Sequence, residues 1–154
     1  MGINIRTKGQ TGEREVAKIL NDIVAKVRRD LTLDPYATQD ELFQRNQNQS
    51  AVGGADLSNP MELEIEIKRQ EQLSINSWWN QCIASASRTG GIPILIFRQS
   101  RKKWRVIMFG ELPLLPESHS KYMGLPQCRV EINLDCFKVW FEAYYRNWIY
   151  SAKD

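Results

Sequence analysis

Met61 to Lys68 alternates apolar and charged residues without interruption. Met61, Leu63, Ile65 and Ile67 fall on one side, and Glu62, Glu64, Glu66 and Lys68 on the other. Successive side chains of a strand point to opposite faces, so this period of two predicts a β-strand with one apolar and one charged face. Glu66 and Lys68, two residues apart, leave the same face.

Other segments carry other periods. From about Thr11 to Asp30, Val16, Ile19, Leu20, Ile23, Val24 and Val27 follow helical spacing, and Asp34-Pro35 then breaks the pattern. Glu41 to Arg45 is a candidate short strand. Asn46 to Gly54 is a polar loop ending in Gly53-Gly54, and Ser58-Asn59-Pro60 signals a turn. A second helix is expected over about Ile75 to Arg88, stopping at Gly90-Gly91. Pro93 to Phe97 predicts a buried strand, Ser100 to Lys103 a basic turn, and Trp104 to Phe109 the returning strand. Gly110 to Pro126 contains three prolines and is expected to be mostly irregular. Arg129 to Leu134 alternates as a strand. Asp135 is the expected cap of a last helix with Phe137, Trp140, Phe141, Tyr144 and Trp148 on one face. Helix, strands, helix, strands, helix makes a mixed α/β or α+β fold with a central sheet flanked by helices.

The length of 154 residues suits one domain, residues 1–154, with a C-terminal strand–helix extension over about 127–150. No apolar run approaches the roughly 20 residues that span a bilayer. Met1 to Gln10 lacks the apolar core of a signal peptide, so a cytoplasmic protein is expected. Cys82, Cys128 and Cys136 are odd in number and lack CxxC spacing, so they predict buried reduced thiols rather than disulfides or a zinc site. His119 is the only histidine. This excludes a two-histidine ribonuclease site and any nuclease with a histidine base plus histidine metal ligands. A metal site here must be built from carboxylates and carbonyls, which suit Mg²⁺, with Mn²⁺ as a substitute. The net charge of +3 permits a nucleic-acid partner without requiring one.

Phosphodiester hydrolysis needs an activated water and compensation for the charge that builds on phosphorus. A metal held by two or three carboxylates supplies both, and a lysine beside it adds electrostatic help. Glu13, Asp56, Glu66 and Lys68 can form such a set, with the Ile67 carbonyl as a further oxygen ligand. Asp56 lies before the turn, on a segment able to pair with the Glu66 strand, although register is not fixed by sequence. Glu13 precedes Val16, Ala17 and Leu20 by three, four and seven residues, so it points along the apolar stripe toward the sheet. Singly, each has an ordinary explanation: a solvated sheet face, a turn aspartate, a first-turn glutamate favoured by the helix dipole. Their joint order favours a site.

Gly53-Gly54-Ala55-Asp56 followed by Glu64-Ile65-Glu66-Ile67-Lys68 resembles the PD-(D/E)xK motif of the restriction-endonuclease-like nucleases. Lys8-Gly9, then Gly12-Glu13-Arg14-Glu15, resembles the opening helix of archaeal-type Holliday junction resolvases in that superfamily. Gln49 and Ser50 stand where those enzymes carry a polar, serine-containing loop, and Gln81 matches a glutamine on the helix after the lysine strand. Ala55 replaces the motif's proline. Glu64 competes with Glu66 as the motif acid, and the E-x-K spacing selects Glu66. The resemblance runs over roughly Arg6 to Phe109. It implies a restriction-endonuclease-like core and a homodimer that cuts four-way DNA junctions with Mg²⁺. It also implies catalytic roles for Glu13, Asp56, Glu66, Lys68 and Gln81.

Arg98, Arg101, Lys102, Lys103 and Arg105 crowd a hairpin beside Trp104, and Arg6 and Lys8 could form a basic arm. Beside a nuclease site these are candidate phosphate contacts. The aromatic breadth of the last helix, with Tyr145 and Tyr150 added, exceeds what one helix needs to bury and points to a dimer contact. Two alternatives stay open: a nuclease of the same fold with another DNA substrate, and a DNA-binding protein of that fold without catalysis.

Overall fold

The computed structural model describes residues 4–33, 42–47, 54–111 and 127–152. Gln49, Ser50, Gly53 and His119 lie outside them, as do Asp34-Pro35 and Glu41. The first helix, α1 (Ile5–Asp30), buries Val16, Leu20, Val24 and Val27. It starts well before the expected Thr11. Ile5 to Gln10 shows no apolar period, but Asn4 caps the helix by accepting the Arg6 N–H on its side chain at 3.0 Å.

Two short strands, β1 (Gln44–Arg45) and β2 (Leu57–Ser58), pair antiparallel. The main sheet has the order β3 (Leu63–Arg69), β4 (Ile92–Arg98), β5 (Arg105–Glu111), β6 (Gln127–Asn133). β3 and β4 are parallel and the other pairs antiparallel. A parallel pair needs a crossover, and α2 (Ile75–Thr89) provides it, ending at the left-handed Gly90 (φ 74°).

The strand alternation decides the layers. Leu63, Ile65 and Ile67 of β3 join Ile94, Ile96, Val106 and Met108 in a core against α1 and α3 (Leu134–Ser151). On the other face, Leu95, Phe97 and Ile107 pack against Trp78, Trp79 and Cys82 of α2. Glu64, Glu66 and Lys68 therefore lie on the α2 side. The result is the expected mixed α+β arrangement, a central mixed sheet between helices.

Several boundaries differ from the sequence expectation. The strand begins at Leu63 rather than Met61, because Asn59 closes a turn there. Its Oδ1 accepts the Met61 and Leu63 N–H groups, and its amide donates to the Leu63 carbonyl at 2.8 Å. Glu62 is thereby left at φ 59°, off the strand face. Gly110 and Glu111 continue β5 where irregular chain was expected, and Trp104 precedes that strand. Asn133, not Asp135, caps α3, its Oδ1 accepting the Cys136 N–H at 2.8 Å. Asp135 sits in the first turn, where it suits the helix dipole.

The aromatic face of α3 is mostly internal. Phe137, Phe141 and Tyr145 are buried, and Trp140, Tyr144 and Trp148 pack against the same core. Tyr145 is thus unavailable as a dimer contact, whereas Val139 and Tyr150 are exposed. None of the three cysteines forms a disulfide, and only Cys82 is buried; Cys136 is exposed on α3. Among the described residues, no helix is long and apolar enough to cross a membrane.

Candidate active site

Asp56 reaches its place through backbone pairing with β3. Its N–H donates to the Ile65 carbonyl at 2.9 Å, and its Oδ2 accepts the Ile67 N–H at 2.6 Å. Asn46 holds the same segment from the other side, donating its backbone N–H to the Asp56 carbonyl at 2.9 Å and its amide to the Ala55 carbonyl at 3.1 Å. The N–H and C=O of a strand residue leave on the same side, so the Ile67 carbonyl also faces the Asp56 edge. The segment is anchored to α1 in turn. Asn21 donates to the Phe43 carbonyl at 3.0 Å and accepts the Phe43 N–H at 2.9 Å, fixing the start of the β1 ribbon.

Glu66 and Lys68 leave β3 together, with Lys68 Nζ 2.8 Å from Glu66 Oε1. Asp56 is 7% exposed and Glu66 4%. Burial opposes ionisation, and the two carboxylates repel each other. Burial first, then the charge of Glu66, pushes the Asp56 carboxyl up to about 7, against the pull of the Ile67 N–H; Glu13 adds to the rise. Burial also raises Glu66, opposed chiefly by Lys68. Cys82 beneath them is pushed up to about 12 by burial and by Glu66, so it is an inert thiol.

Glu13 extends from α1 toward this edge, and its charge is felt at both Asp56 and Glu66. Its carboxylate is taken by Arg45, Nε to Oε2 at 2.5 Å. As placed, no three His, Cys, Asp or Glu side chains converge as a metal cage among the described residues. The donor set still suits a hard divalent ion. Asp56, Glu66 and the Ile67 carbonyl offer oxygen only, and Mg²⁺ commonly keeps several waters beside one or two carboxylates.

Glu64 shares the face of Glu66 but has other partners. Ser85 Oγ and Thr89 Oγ1 each donate to its carboxylate at 2.9 Å. The two acids of this face thus differ in partner, α2 hydroxyls for Glu64 and Lys68 for Glu66. Gln81 is exposed on α2, four residues before Ser85 and on the same flank.

The basic residues divide. Arg6 is exposed, and Arg101, Lys102 and Lys103 are exposed at the β4–β5 turn. Lys8 pairs with Glu71 at 3.2 Å, and Glu71 also accepts the Ser100 N–H at 3.2 Å. This ties the start of α1 to that turn. Arg98 and Arg105, grouped with the turn by sequence, are otherwise engaged. Arg98 bonds Glu15 at 2.8 Å and stacks over Trp104 at 4.8 Å, while Arg105 grips Glu131 with contacts of 2.9 and 2.6 Å. Arg69, on the opposite face from Lys68, also bonds Glu15, at 3.3 Å.

Sequence reasoning missed Arg45, Glu15 and the Ser85–Thr89 pair. Asn46 and Arg45 lay in or beside a segment read only as a loop and a possible strand. The alternation that exposed Glu66 has no counterpart for contacts made between elements.

One solved structure similar to this chain is a Holliday junction resolvase from the hyperthermophilic archaeon Archaeoglobus fulgidus. The match has TM-score 0.40 and 16% identity, covering 86% of this chain and 88% of that one. At that level the likeness carries no weight for fold or substrate. No curated protein matches the sequence. The family model described as "Phage putative PDDEXK endonuclease" matches residues 4–147, past the Phe109 limit of the motif resemblance and through most of α3. Since that match takes in nearly the whole chain and every element around Asp56, Glu66 and Lys68, the chain belongs to this PDDEXK endonuclease family.

Proposed function

We propose that this protein is a divalent-metal-dependent endonuclease that cuts branched DNA at four-way junctions. The observation that carries the reading is the buried pair Asp56 and Glu66 beside Lys68 at the edge of β3 that the Asp56 segment covers. Two carboxylates that repel each other out of water are costly unless a cation compensates them. Asp56, Glu66 and the Ile67 carbonyl would hold Mg²⁺ or Mn²⁺, with Glu13 as a further ligand. Such an ion, when bound, would supply a more acidic water and compensation for the charge on the phosphate. Lys68 holds a positive charge against Glu66 and can orient the attacking water or meet the phosphate oxygens. Gln81, on the exposed flank of α2, is proposed to contact the same water or phosphate.

Lys8 is tied through Glu71 to the turn that carries Arg101, Lys102 and Lys103, and these residues, with Arg6, are proposed to meet DNA phosphates. Gln49 and Ser50, outside the described residues, are proposed as further contacts. The enzyme is proposed to act as a homodimer, one site per strand, and the phage family supports a protein that works in the host cytoplasm. In this reading residues 1–154 act as one nuclease domain, with the strand and helix from about 127–150 as its C-terminal extension.

The test is cleavage of an end-labelled four-way junction against its linear duplex arms, with and without Mg²⁺. Paired, metal-dependent nicks confined to the junction are expected. Equal cutting of linear duplex keeps the nuclease site and removes junction selectivity. Inertness on every DNA with either ion leaves a DNA-binding protein of this fold.

A further inference from the structure

We propose that Arg45 is a substrate-responsive partner of Glu13. It holds Glu13 away from the metal until a DNA phosphate takes the guanidinium, so that ion and DNA bind cooperatively. The inference rests on the nuclease reading and concerns a residue outside the motif.

Arg45 is well placed for such an exchange. It lies in β1 opposite Leu57, the residue after Asp56, so its backbone is fixed beside the site. Its side chain remains 25% exposed while Glu13 is 14% exposed. A cleft of about 460 Å³ opens beside it, lined by Arg14, Asn21 and Gln44 and by the Lys18–Asp22 ion pair. That cleft gives the guanidinium room to turn outward, and exposed Arg14 gives a DNA strand a reason to lie there. Arginine binds phosphate with the same planar fork it offers a carboxylate, so a phosphodiester is a direct competitor for Glu13.

Charge balance argues for coupling. Glu13, Asp56 and Glu66 face Lys68 and Arg45, which leaves one negative charge when all are ionised. A divalent ion alone turns this into one excess positive charge. A phosphodiester alone deepens the negative charge. Together they neutralise the site. In a buried environment that difference favours simultaneous occupation. Release of Glu13 completes the ligand set at the moment the phosphate arrives, which limits ion binding without substrate.

Calorimetric titration with Ca²⁺ as the probe ion tests this, with and without four-way junction DNA whose integrity is checked on a denaturing gel. Wild-type protein should bind Ca²⁺ about tenfold more tightly with DNA present, and DNA more tightly with Ca²⁺, since linkage is reciprocal. Glu13→Gln should abolish the DNA-induced gain in Ca²⁺ affinity. Arg45→Met should raise DNA-free Ca²⁺ affinity several-fold, lose most of the coupling, and reduce the salt dependence of DNA binding by about one phosphate contact. The double variant should bind Ca²⁺ no better than Glu13→Gln. Independent binding of ion and DNA to wild-type protein would overturn the role of Arg45 while leaving the nuclease reading intact. Wild-type protein that binds neither ion nor DNA would overturn both.

Discussion

Ile67 donates its backbone N–H to Asp56 Oδ2 at 2.6 Å. The strand that carries Glu66 and Lys68 on its face thus fixes Asp56 on its flank. β3 carries Glu66 and Lys68 and holds Asp56, on the segment leading into β2, by hydrogen bonds to Ile65 and Ile67, while Glu13 comes from α1. A site built this way is preorganised by β pairing rather than by loop packing.

Removing the chemistry should leave binding. Asp56→Asn, Glu66→Gln and Lys68→Ala are each expected to lower junction cleavage by orders of magnitude with little loss of junction affinity. Single-turnover cleavage and gel-shift titration on the same preparations measure the two separately. Retained cleavage in all three would move the active site elsewhere.

The same pair predicts a pH dependence of stability. Asp56 is raised from its ordinary 3.8 to about 7 by burial and by Glu66. A raised acid holds its proton in the folded state after the unfolded chain has lost it. Its contribution is therefore fully present below the unfolded value and is lost as pH rises through 7. Metal-free protein should melt lower at about pH 8 than at about pH 5, and Asp56→Asn should remove much of that fall. Mn²⁺ should restore wild-type melting at the higher pH and leave Asp56→Asn unmoved. A flat wild-type profile would show that the two carboxylates are compensated already.

How far could the sequence alone be read? The period of two placed Glu66 and Lys68 on one face, and the heptad-like spacing of Val16, Leu20, Val24 and Val27 placed α1. These signals are local, because they depend only on the geometry of one element. Asp56 was visible as a residue but not as a position, since its bonds to Ile65 and Ile67 depend on a register that no local pattern sets. Arg45 and Glu13 meet only because Asn21 docks β1 on α1. The strand start was missed because one side chain, Asn59, closes a turn within an unbroken alternation. Glu64 and Glu66 are equivalent by period, and their partners, Ser85 and Thr89 for Glu64 and Lys68 for Glu66, tell them apart.

That last distinction makes a prediction of its own. Glu64→Gln should keep cleavage within a few-fold of wild type, because its oxygens serve α2. Losing charge-assisted bonds to two hydroxyls should cost stability on the order of 1–2 kcal/mol. Urea denaturation beside the cleavage assay measures both. A Glu64→Gln loss of cleavage comparable to that of Glu66→Gln would give the motif acid to Glu64.

The basic turn separates by partnership rather than by charge. Lys102 and Lys103 are exposed, whereas Arg105 is held by Glu131. A cation that contacts DNA phosphate releases counterions and steepens the salt dependence of binding, by about 0.9 in log–log slope per contact. Lys102→Ala with Lys103→Ala should therefore weaken junction binding and flatten that slope by up to about two contacts. Arg105→Met, which breaks a pair within the protein, should leave the slope unchanged. Fluorescence anisotropy over a salt series on the three proteins reads the difference. An unchanged slope in the lysine double variant would place the turn away from DNA, and a flattened slope in Arg105→Met would mean that DNA displaces Glu131 from Arg105.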